Sequence, residues 1–504
     1  MTSENSIENN LNILKNILNE AEKYYHASRV LSFDMQTVCP EKAMEKESSL
    51  ASFLSNIGFK LTKSKKFIQT LLALYEQRGK LSAWNKTLIE GLYREYSRNK
   101  NITPAMNRKF SETFDKAFLS WLQAKKETDF SIFAKDLSEV RKVNWIQIQK
   151  MENRNKNPYN NLLAIYERGI TVKDLDFCFD ACKERLIPLL KKIQNSPKKI
   201  RTDFLSRKVS EENQQKMTEL LLDIMQFDFL RGNFSKSEHP FTSGIAENDA
   251  RITTHYYEDN FCSNIFSILH EGGHALFEQG QPATNFKYHI ETFKTLGQHE
   301  SVSRFYENRI GRSKSFIHLI YPKAKTLFPE VFSDVSEREF YEAVNMVAPS
   351  FIRTEADEFT YTFHIIIRYE IEKLLVNDKI EIRNLPEIWN QKYEEYLGIT
   401  PKNDREGILQ DVHWTSGFGY FPTYALGNFY NSMYYLKMQE SFNIEEAVLN
   451  QDFKKINSWM QENVFQFADR LDAKTWIKKI TSQNFSPDAF LDYIENKYSK
   501  IYLL

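Results

Sequence analysis

The chain has 504 residues, of which 41 % are hydrophobic, 14 % aromatic and 27 % charged; this is the composition of a globular protein long enough for a large buried core. Sixty-seven basic residues balance sixty-seven acidic ones, so no global field favours nucleic acid or an anionic membrane surface as a partner. An uninterrupted apolar run of about eighteen residues, which a membrane span requires, does not occur.

Two features favour a reducing, cytoplasmic setting. The four cysteines, Cys39, Cys178, Cys182 and Cys262, are too few and too scattered for a disulfide framework in a chain of this size. The first residues, MTSENSIENNLNILKN, lack the basic segment and apolar stretch of a secretory leader.

The pattern along the chain predicts an all-α protein. Glycine and proline are sparse, and apolar residues recur at helical spacing, as in IENNLNILKNILNEAEKYYHASRVLSF. Because no linker or repeat interrupts the chain, we predict a single domain. Within it we expect an N-terminal helical lobe over residues 1–230, a catalytic region over 231–430, where most glycines lie, and a C-terminal helical segment over 431–504.

One segment in the catalytic region interrupts the helical pattern. ARITTHYYED, from Ala250, is rich in β-branched and aromatic residues and predicts a strand. A small β-sheet is therefore expected beside the helix that follows. We interpret Asp249 and Arg251 in this segment as a structural pair.

That helix contains ILHEGGHALFEQG, which has the spacing of a metal site. His270 and His274 are four positions apart and share one helix face, while Glu271 points about 100° away from His270. Zinc suits such a site because a catalytic zinc takes three nitrogen or oxygen ligands and leaves one position for water. Glu271 would then be the general base that takes a proton from the activated water.

The ends and the interior of this helix carry further signals. Asp259 or Asn260 can cap its start, and Gly280 can end it. Gly272 and Gly273 cost about 1 kcal/mol each in a helix interior. We interpret them as clearance for a neighbouring helix or for substrate, and expect a bulky residue at Gly273 to be harmful but alanine to be tolerated.

A second helix, predicted to start after Gly297 in LGQHESVSRFYENRIGRS, offers the third metal ligand. His299 and Glu300 are both candidates. Since adjacent helical residues point about 100° apart, only one can face the metal, and spacing alone does not choose between them. Arg304, four positions after Glu300, could orient its carboxylate.

Several ordered motifs resemble the carboxypeptidase Taq family of zinc metallocarboxypeptidases, through most of the chain. They are LSFDMQTVCP from Leu31, HPFTSGIAENDARITTHY from His239, HEGGHALFEQG from His270, HESVSRFYENRIGR from His299, FIRTEADEFTY from Phe351 with HIIIR from His364, and GILQDVHWTSGFGYFPTYALGN from Gly407. The resemblance implies a neurolysin-like, deep-groove helical architecture, a homodimer, and Glu300 as the third ligand.

The chain departs from the family pattern in three places. Phe33 stands where the family usually has Trp, and His255 where it has Arg. The segment between Trp414 and Tyr420 is one residue shorter. These departures bear on substrate preference more than on the metal ligands.

A carboxypeptidase must also bind a terminal carboxylate. Arg353 is the leading candidate, with Glu355 and Asp357 expected to hold it in place; a purely structural ion pair is the alternative. The resemblance places three polar residues around the metal as substrate-binding or oxyanion candidates, which sequence does not rank: His239, His413 and Tyr420.

The predicted function is zinc-dependent removal of single C-terminal amino acids from peptides by attack of a metal-activated water, with cobalt as a possible substitute for zinc. The substrates are expected to be peptides with a free C-terminus. One alternative is a zinc oligopeptidase or endopeptidase of the same fold. The other is a helical peptide-binding protein with a structural zinc, which would normally need four protein ligands.

Overall fold

The computed structural model describes residues 3–504 and confirms a mainly helical protein with a small β-sheet. Among the described residues, no helix is both long and apolar enough to cross a membrane. The α-helices are α1 Ser3–Thr37, α2 Met44–Thr62, α3 Lys65–Glu76, α4 Ala83–Asn99, α5 Pro104–Glu127, α6 Ser131–Lys150, α7 Pro158–Tyr166, α8 Val172–Gln194, α9 Glu211–Met225, α10 Phe261–Gly280, α11 Ala283–Lys287, α12 Leu296–Arg304, α13 Lys314–Leu327, α14 Pro329–Phe332, α15 Glu337–Val344, α16 Tyr361–Val376, α17 Leu385–Leu397, α18 Pro422–Gln439, α19 Ile444–Leu449, α20 Phe453–Met460, α21 Gln466–Ala468, α22 Ala473–Thr481 and α23 Asp488–Tyr502.

The sheet lies beside α10. Its strands are β1 Gly232–Lys236, β2 Thr242–Ala246 and β3 Asp249–Thr254, in the order β1-β3-β2. Strand β3 pairs parallel with β1 and antiparallel with β2. The predicted strand is confirmed, although it ends at Thr254, before the aromatic residues. Within β3, Arg251 and Asp249 form the expected bidentate pair, at 2.8 and 2.7 Å.

Helix α10 begins and ends where the sequence predicts. Of the two capping candidates, Asn260 is the N-cap, and its side chain accepts a hydrogen bond from the backbone N–H of Ser263. Gly280 is the last helical residue, and a Cβ there would lie 2.3 Å from the ring of Phe465. Most residues of the helix are buried, and this packing fixes the direction of its side chains.

Helix α12 starts earlier than predicted. Its N-cap is Thr295, which forms a capping box with Gln298, so the helix begins at Leu296 and not after Gly297. Gly297 has another role, because a Cβ there would lie 2.6 Å from a carboxylate oxygen of Glu167. The backbone N–H of Gly297 and the hydroxyl of Thr295 both donate to Glu167, each at 2.7 Å. A π-helix, Phe305–Ile310, follows α12 directly.

Among the described residues, most buried hydrophobic side chains belong to one of two clusters, a larger core and a smaller one. The larger core contains residues from Ala117 to Tyr502 and therefore includes helices before and after the sheet. The smaller core joins α1, α3 and α4 with Ile290. The single domain, its lobe boundary near residue 230, and the deep groove stay predictions.

Candidate active site

The structure brings His270, His274 and Glu300 together as a group of possible metal ligands, with their donor atoms within 4.8 Å of one another. Glu300 Oε2 lies 3.7 Å from His270 Nε2 and 3.5 Å from His274 Nε2. Two bonds of about 2.05 Å at a tetrahedral angle place their donors about 3.3 Å apart. Two nitrogens and one oxygen at these separations fit a small divalent ion such as zinc.

The group depends on a close approach between α10 and α12. A Cβ at Gly273 would lie 2.8 Å from Ser303 Cα and 2.9 Å from the carbonyl oxygen of Val302. At a second close contact with α12, a Cβ at Gly427 of α18 would lie 3.0 Å from backbone and side-chain atoms of Glu300. Glycines on two neighbouring helices therefore let the segment that carries Glu300 sit beside the histidines.

Gly272 and Gly273 both face neighbouring protein atoms. These atoms differ, so we expect substitution by alanine to affect stability differently at the two positions. At Gly273 the added Cβ meets backbone, which must shift, so the expectation that alanine is tolerated there is corrected. We expect Gly273→Ala to lower the free energy of unfolding by about 1–3 kcal/mol, as overpacking does. At Gly272 the Cβ meets only the flexible end of Met225, at 2.8 Å. Gly272→Ala is the matched control.

Chemical denaturation of the two variants measures this difference. Alanine at position 272 should leave stability unchanged or raise it by up to about 1 kcal/mol, the helix-propensity gain. Equal stability of Gly273→Ala and Gly272→Ala would show that the α10–α12 contact does not depend on the missing Cβ.

Each histidine is oriented through its Nδ1 atom. His270 Nδ1 lies 2.9 Å from Glu307 Oε2, and His274 Nδ1 lies 2.6 Å from His299 Nδ1. Both contacts leave the Nε2 atoms directed at Glu300, which is how partners outside the ligand group fix the tautomer and ring of metal-binding histidines. Glu307 was not singled out from the sequence, although residues seven positions apart, such as Glu300 and Glu307, lie on the same face of a helix.

His299 lies behind His274 rather than beside Glu300. Nε2 of His274 faces the ligand group and must be unprotonated to bind a cation. The ring proton of His274 is therefore on Nδ1, which donates a hydrogen bond to Nδ1 of His299. The other nitrogen of His299, Nε2, then donates to Glu278 Oε1, at 2.8 Å. Burial lowers the pKa of His299 to about 4, so its ring is neutral. Burial alone would raise the pKa of Glu278, but Lys294 and the hydrogen bond from His299 lower it to about 2.

Two carboxylates, those of Glu300 and Glu307, lie close to His270. Burial opposes protonation of His270, yet the carboxylates of Glu300 and Glu307 raise its pKa to about 9 in the protein alone. Burial likewise opposes ionisation of Glu300, but His270 and Arg304 hold its pKa well below the usual range. A divalent cation would replace the proton on His270, and its binding is therefore expected to release a proton.

Glu271 is held by the sheet. The residue is 7 % exposed, and its Oε2 accepts a hydrogen bond of 2.6 Å from the hydroxyl of Thr242, the first residue of β2. The same hydroxyl lies 3.0 Å from the carbonyl oxygen of Glu271. Within residues 3–504, no group donates to the other carboxylate oxygen, Oε1. Thr242, which the sequence did not single out, thus orients Glu271 and leaves one oxygen available.

A chain of contacts links the ligand group to Arg353. Arg304 Nε donates to Glu300 Oε1 at 2.8 Å, as the sequence predicts. The guanidinium of Arg304 also stacks on the ring of Tyr361, 4.2 Å from its centroid. The hydroxyl of Tyr361 lies 3.3 Å from Nη1 of Arg353. Arg353 therefore belongs to the same buried network as the third candidate ligand.

The residues that hold Arg353 differ from those predicted. Its guanidinium donates to Asp411, at 2.9 and 3.1 Å, and its side chain is 8 % exposed. Arg368 donates to the same carboxylate at 2.6 Å. Asp357 instead accepts hydrogen bonds from the backbone before α16, at Phe359 and Thr360. The prediction that Glu355 and Asp357 hold Arg353 is wrong, because the partner comes from a distant loop.

Two of the three remaining candidates lie near Arg353. The rings of His413 and Tyr420 are 5.2 Å apart, and His413 Nε2 lies 3.2 Å from the hydroxyl of Tyr424. The guanidinium of Arg353 stacks on Tyr424, 4.8 Å from its centroid. His239 lies on the exposed connection between β1 and β2, where its carbonyl accepts a hydrogen bond from Ser237. The structure does not place the imidazole of His239 in contact with the ligand group.

The loop that departs from the family pattern is tied down by a buried glutamate of α16. Glu372 accepts hydrogen bonds from the indole of Trp414, at 2.8 Å, and from the backbone N–H of Gly419, at 2.9 Å. Gly417 and Gly419 have φ angles of 133° and 96°, a region that favours glycine. This loop presents Tyr420.

Comparisons with known proteins identify the family of the chain. Residues 13–498 match the family described as carboxypeptidase Taq (M32) metallopeptidase. Carboxypeptidase 1 of Bacillus subtilis (strain 168) is 38 % identical over 490 residues, which are 97 % of this chain and 98 % of that protein. The crystal structure of the M32 carboxypeptidase from Deinococcus radiodurans R1 is similar with a TM-score of 0.94 and 28 % identity, over 98 % of this chain and 100 % of that one. Metallocarboxypeptidase 1 of Trypanosoma cruzi gives a TM-score of 0.91 and 27 % identity, over 98 % and 100 % of the two chains.

The class defined by the fold and the match is a metal-dependent peptidase. The chain belongs to the carboxypeptidase Taq (M32) family, and its enzyme class is metallocarboxypeptidase. The family implies a metal ion, and the group of His270, His274 and Glu300 is the candidate site for it.

Proposed function

We propose that the protein is a zinc-dependent carboxypeptidase that removes single amino acids from the C-terminus of peptides. In this proposal His270, His274 and Glu300 hold the zinc ion. The observation that carries it is the three-donor group, with each imidazole oriented through Nδ1 and with Glu271 held beside it by Thr242. The structural-zinc alternative is disfavoured because the described residues supply three donors and not four.

The protein's own residues account for the proton transfers. When bound, the zinc ion supplies a positive charge that lowers the pKa of a water and polarises the scissile carbonyl. Glu271 takes the proton of the attacking water and passes it to the leaving amine. Thr242 keeps Oε2 of Glu271 in place while Oε1 acts. The buried surroundings exclude bulk water, which strengthens these electrostatic contacts.

We propose that Arg353 recognises the terminal carboxylate of the substrate. Asp411 and Tyr361 fix its guanidinium near the Glu300 network, and an arginine is suited to bidentate contact with a carboxylate. Of the three oxyanion candidates, we favour Tyr420 and His413. Their rings contact each other, and His413 packs on Phe421, the ring that the guanidinium of Arg353 also contacts. His239 is a weaker candidate on its exposed connection.

Product analysis of a peptide pool tests the class of cleavage. Mass spectrometry should show the loss of one C-terminal residue at a time, and a chelator should abolish it. Peptides with an amidated C-terminus are the matched control and should resist hydrolysis, since Arg353 would have no carboxylate to bind. Cleavage of amidated peptides at internal bonds would favour the oligopeptidase alternative.

Three finer predictions remain part of the proposal. Zinc suits the two imidazoles and one carboxylate, with cobalt as a possible substitute, and metal analysis of the purified protein would identify the ion. A homodimer is implied by the family resemblance and is testable by light scattering. A cytoplasmic setting is supported by four free cysteines.

A further inference from the structure

A second, basic cavity lies where the π-helix and α13 meet α18, α19 and α23. Its volume is about 320 Å³, within the range of small-molecule sites. It lies outside the ligand group, and none of the proposed catalytic residues lines it. The charged residues that line it are Arg309, Arg312, Lys314, Lys497, Lys500 and Glu445.

Arg309 is the unusual member of this cavity. Its guanidinium contacts the rings of Tyr493 and Tyr435, 3.6 and 4.0 Å from their centroids, and the residue is 7 % exposed. Its Nε and Nη1 atoms are buried without a hydrogen-bond partner in the described part of the chain. A buried arginine is almost always paired. With two rings this close to the guanidinium, a polar ligand would have to bind it through its N–H groups, which lie in its plane.

The other cations divide into paired and unpaired ones. Lys497 forms an ion pair of 2.6 Å with Glu358, and Arg312 forms one of 3.7 Å with Glu307. Across residues 3–504, by contrast, no carboxylate pairs with Arg309, Lys314 or Lys500.

Glu445 is the one acidic residue that lines the cavity. Its carboxylate accepts hydrogen bonds from the hydroxyls of Ser315 and Tyr435 and forms no ion pair with the described residues. The cavity therefore presents three cations without an ion-pair partner among the described residues, beside two tyrosine rings.

We propose that this cavity binds a phosphate group, with Arg309, Lys314 and Lys500 as its ligands. Arginine and lysine are the side chains that bind phosphate oxygens most strongly, and a phosphate with close to two negative charges would supply the acceptors that Arg309 lacks. The cavity volume accommodates either free phosphate or the phosphate of a larger small molecule such as a nucleotide. This proposal is independent of the peptidase mechanism.

Calorimetric titration of the purified full-length protein tests the proposal, with inorganic phosphate, ATP and adenosine as probes and with sodium chloride at equal ionic strength as the baseline. The test variant is Lys314→Gln combined with Lys500→Gln, two exposed positions that should not disturb folding. Lys402→Gln, an exposed lysine elsewhere, is the matched control. Contact of a probe with the metal ion would contribute equally in all three proteins.

The expected result is binding of phosphate or ATP that the double variant weakens about 10- to 100-fold, since charge-assisted hydrogen bonds are lost. Lys402→Gln should bind as the unchanged protein does. Equal affinity for phosphate and ATP would assign the site to the free ion, and tighter binding of ATP without binding of adenosine would assign it to nucleotide phosphates. Binding no stronger than that of chloride, or the same affinity in the double variant, would overturn the proposal.

Arg309→Met gives a second test of the same site. Methionine keeps an unbranched apolar chain between Tyr435 and Tyr493 but removes every N–H donor. We expect the variant to lose phosphate binding at least as strongly as the double lysine variant, and circular dichroism would verify its fold. Unchanged phosphate affinity in a folded Arg309→Met protein would contradict the assignment.

Discussion

Glu271→Gln should lower kcat/KM for release of C-terminal residues by about 10²- to 10⁴-fold, the usual contribution of a general base. Glutamine keeps the shape of the side chain and can still accept a hydrogen bond from Thr242, but it cannot take a proton from water. Metal content should be unchanged, because Glu271 lies outside the group of His270, His274 and Glu300. Peptide hydrolysis and elemental analysis of the same sample measure both quantities.

Thr242→Val provides the graded control for this result. It removes the hydroxyl that lies 2.6 Å from Oε2 but leaves the carboxylate of Glu271 in the protein. We expect a smaller fall in kcat/KM than for Glu271→Gln, with metal still bound. If Glu271→Gln retained full activity, another group would have to be the base, and the proposed mechanism would be wrong.

Glu307→Gln should weaken metal binding by about 10- to 100-fold, as loss of a partner outside the ligand group commonly does. The carboxylate of Glu307 accepts the Nδ1 hydrogen bond of His270 at 2.9 Å and a second bond from Arg304 at 3.1 Å. A neutral amide would orient the imidazole less firmly and would make its Nε2 a weaker donor to a cation. Competition with a chromogenic chelator measures the affinity.

Glu342→Gln is the matched control for the loss of a paired glutamate. Glu342 pairs with Lys198 at 2.7 Å and with Arg338 at 2.8 Å, and it does not contact the ligand group. We expect this variant to keep its metal affinity. A fall in affinity as large as that of Glu307→Gln would attribute the effect to general destabilisation instead of to the contact with His270.

The sequence predicted those parts of the site that depend on local geometry. The spacing of His270 and His274 and the caps of α10 are set within one helix, and the structure confirms that helix. The choice between His299 and Glu300 depends on how α12 is rotated about its axis. Since the close contact at Gly273 sets that rotation, spacing alone could not decide it.

The contacts that the sequence missed join distant parts of the chain. Arg353 was expected to pair with acidic neighbours, yet its partner Asp411 is 58 positions away. Thr242 reaches Glu271 only because β2 packs against α10. Such pairs are created by tertiary packing, and neither periodicity nor residue spacing carries a signal for them.

The contacts that hold His274 in place have a consequence for when, during synthesis and folding, the enzyme can bind its metal ion. The carboxylate of Glu278, which accepts a hydrogen bond from His299, forms an ion pair with Lys294. The backbone N–H of Lys294 donates in turn to Asp469, at 3.2 Å. Asp469 is held in turn by Asn285, at 2.8 Å. Because Asp469 follows Glu300 by several helices in the chain, a growing polypeptide can carry all three donor side chains well before this support exists. We expect tight metal uptake to be a late event that follows synthesis of the C-terminal helices.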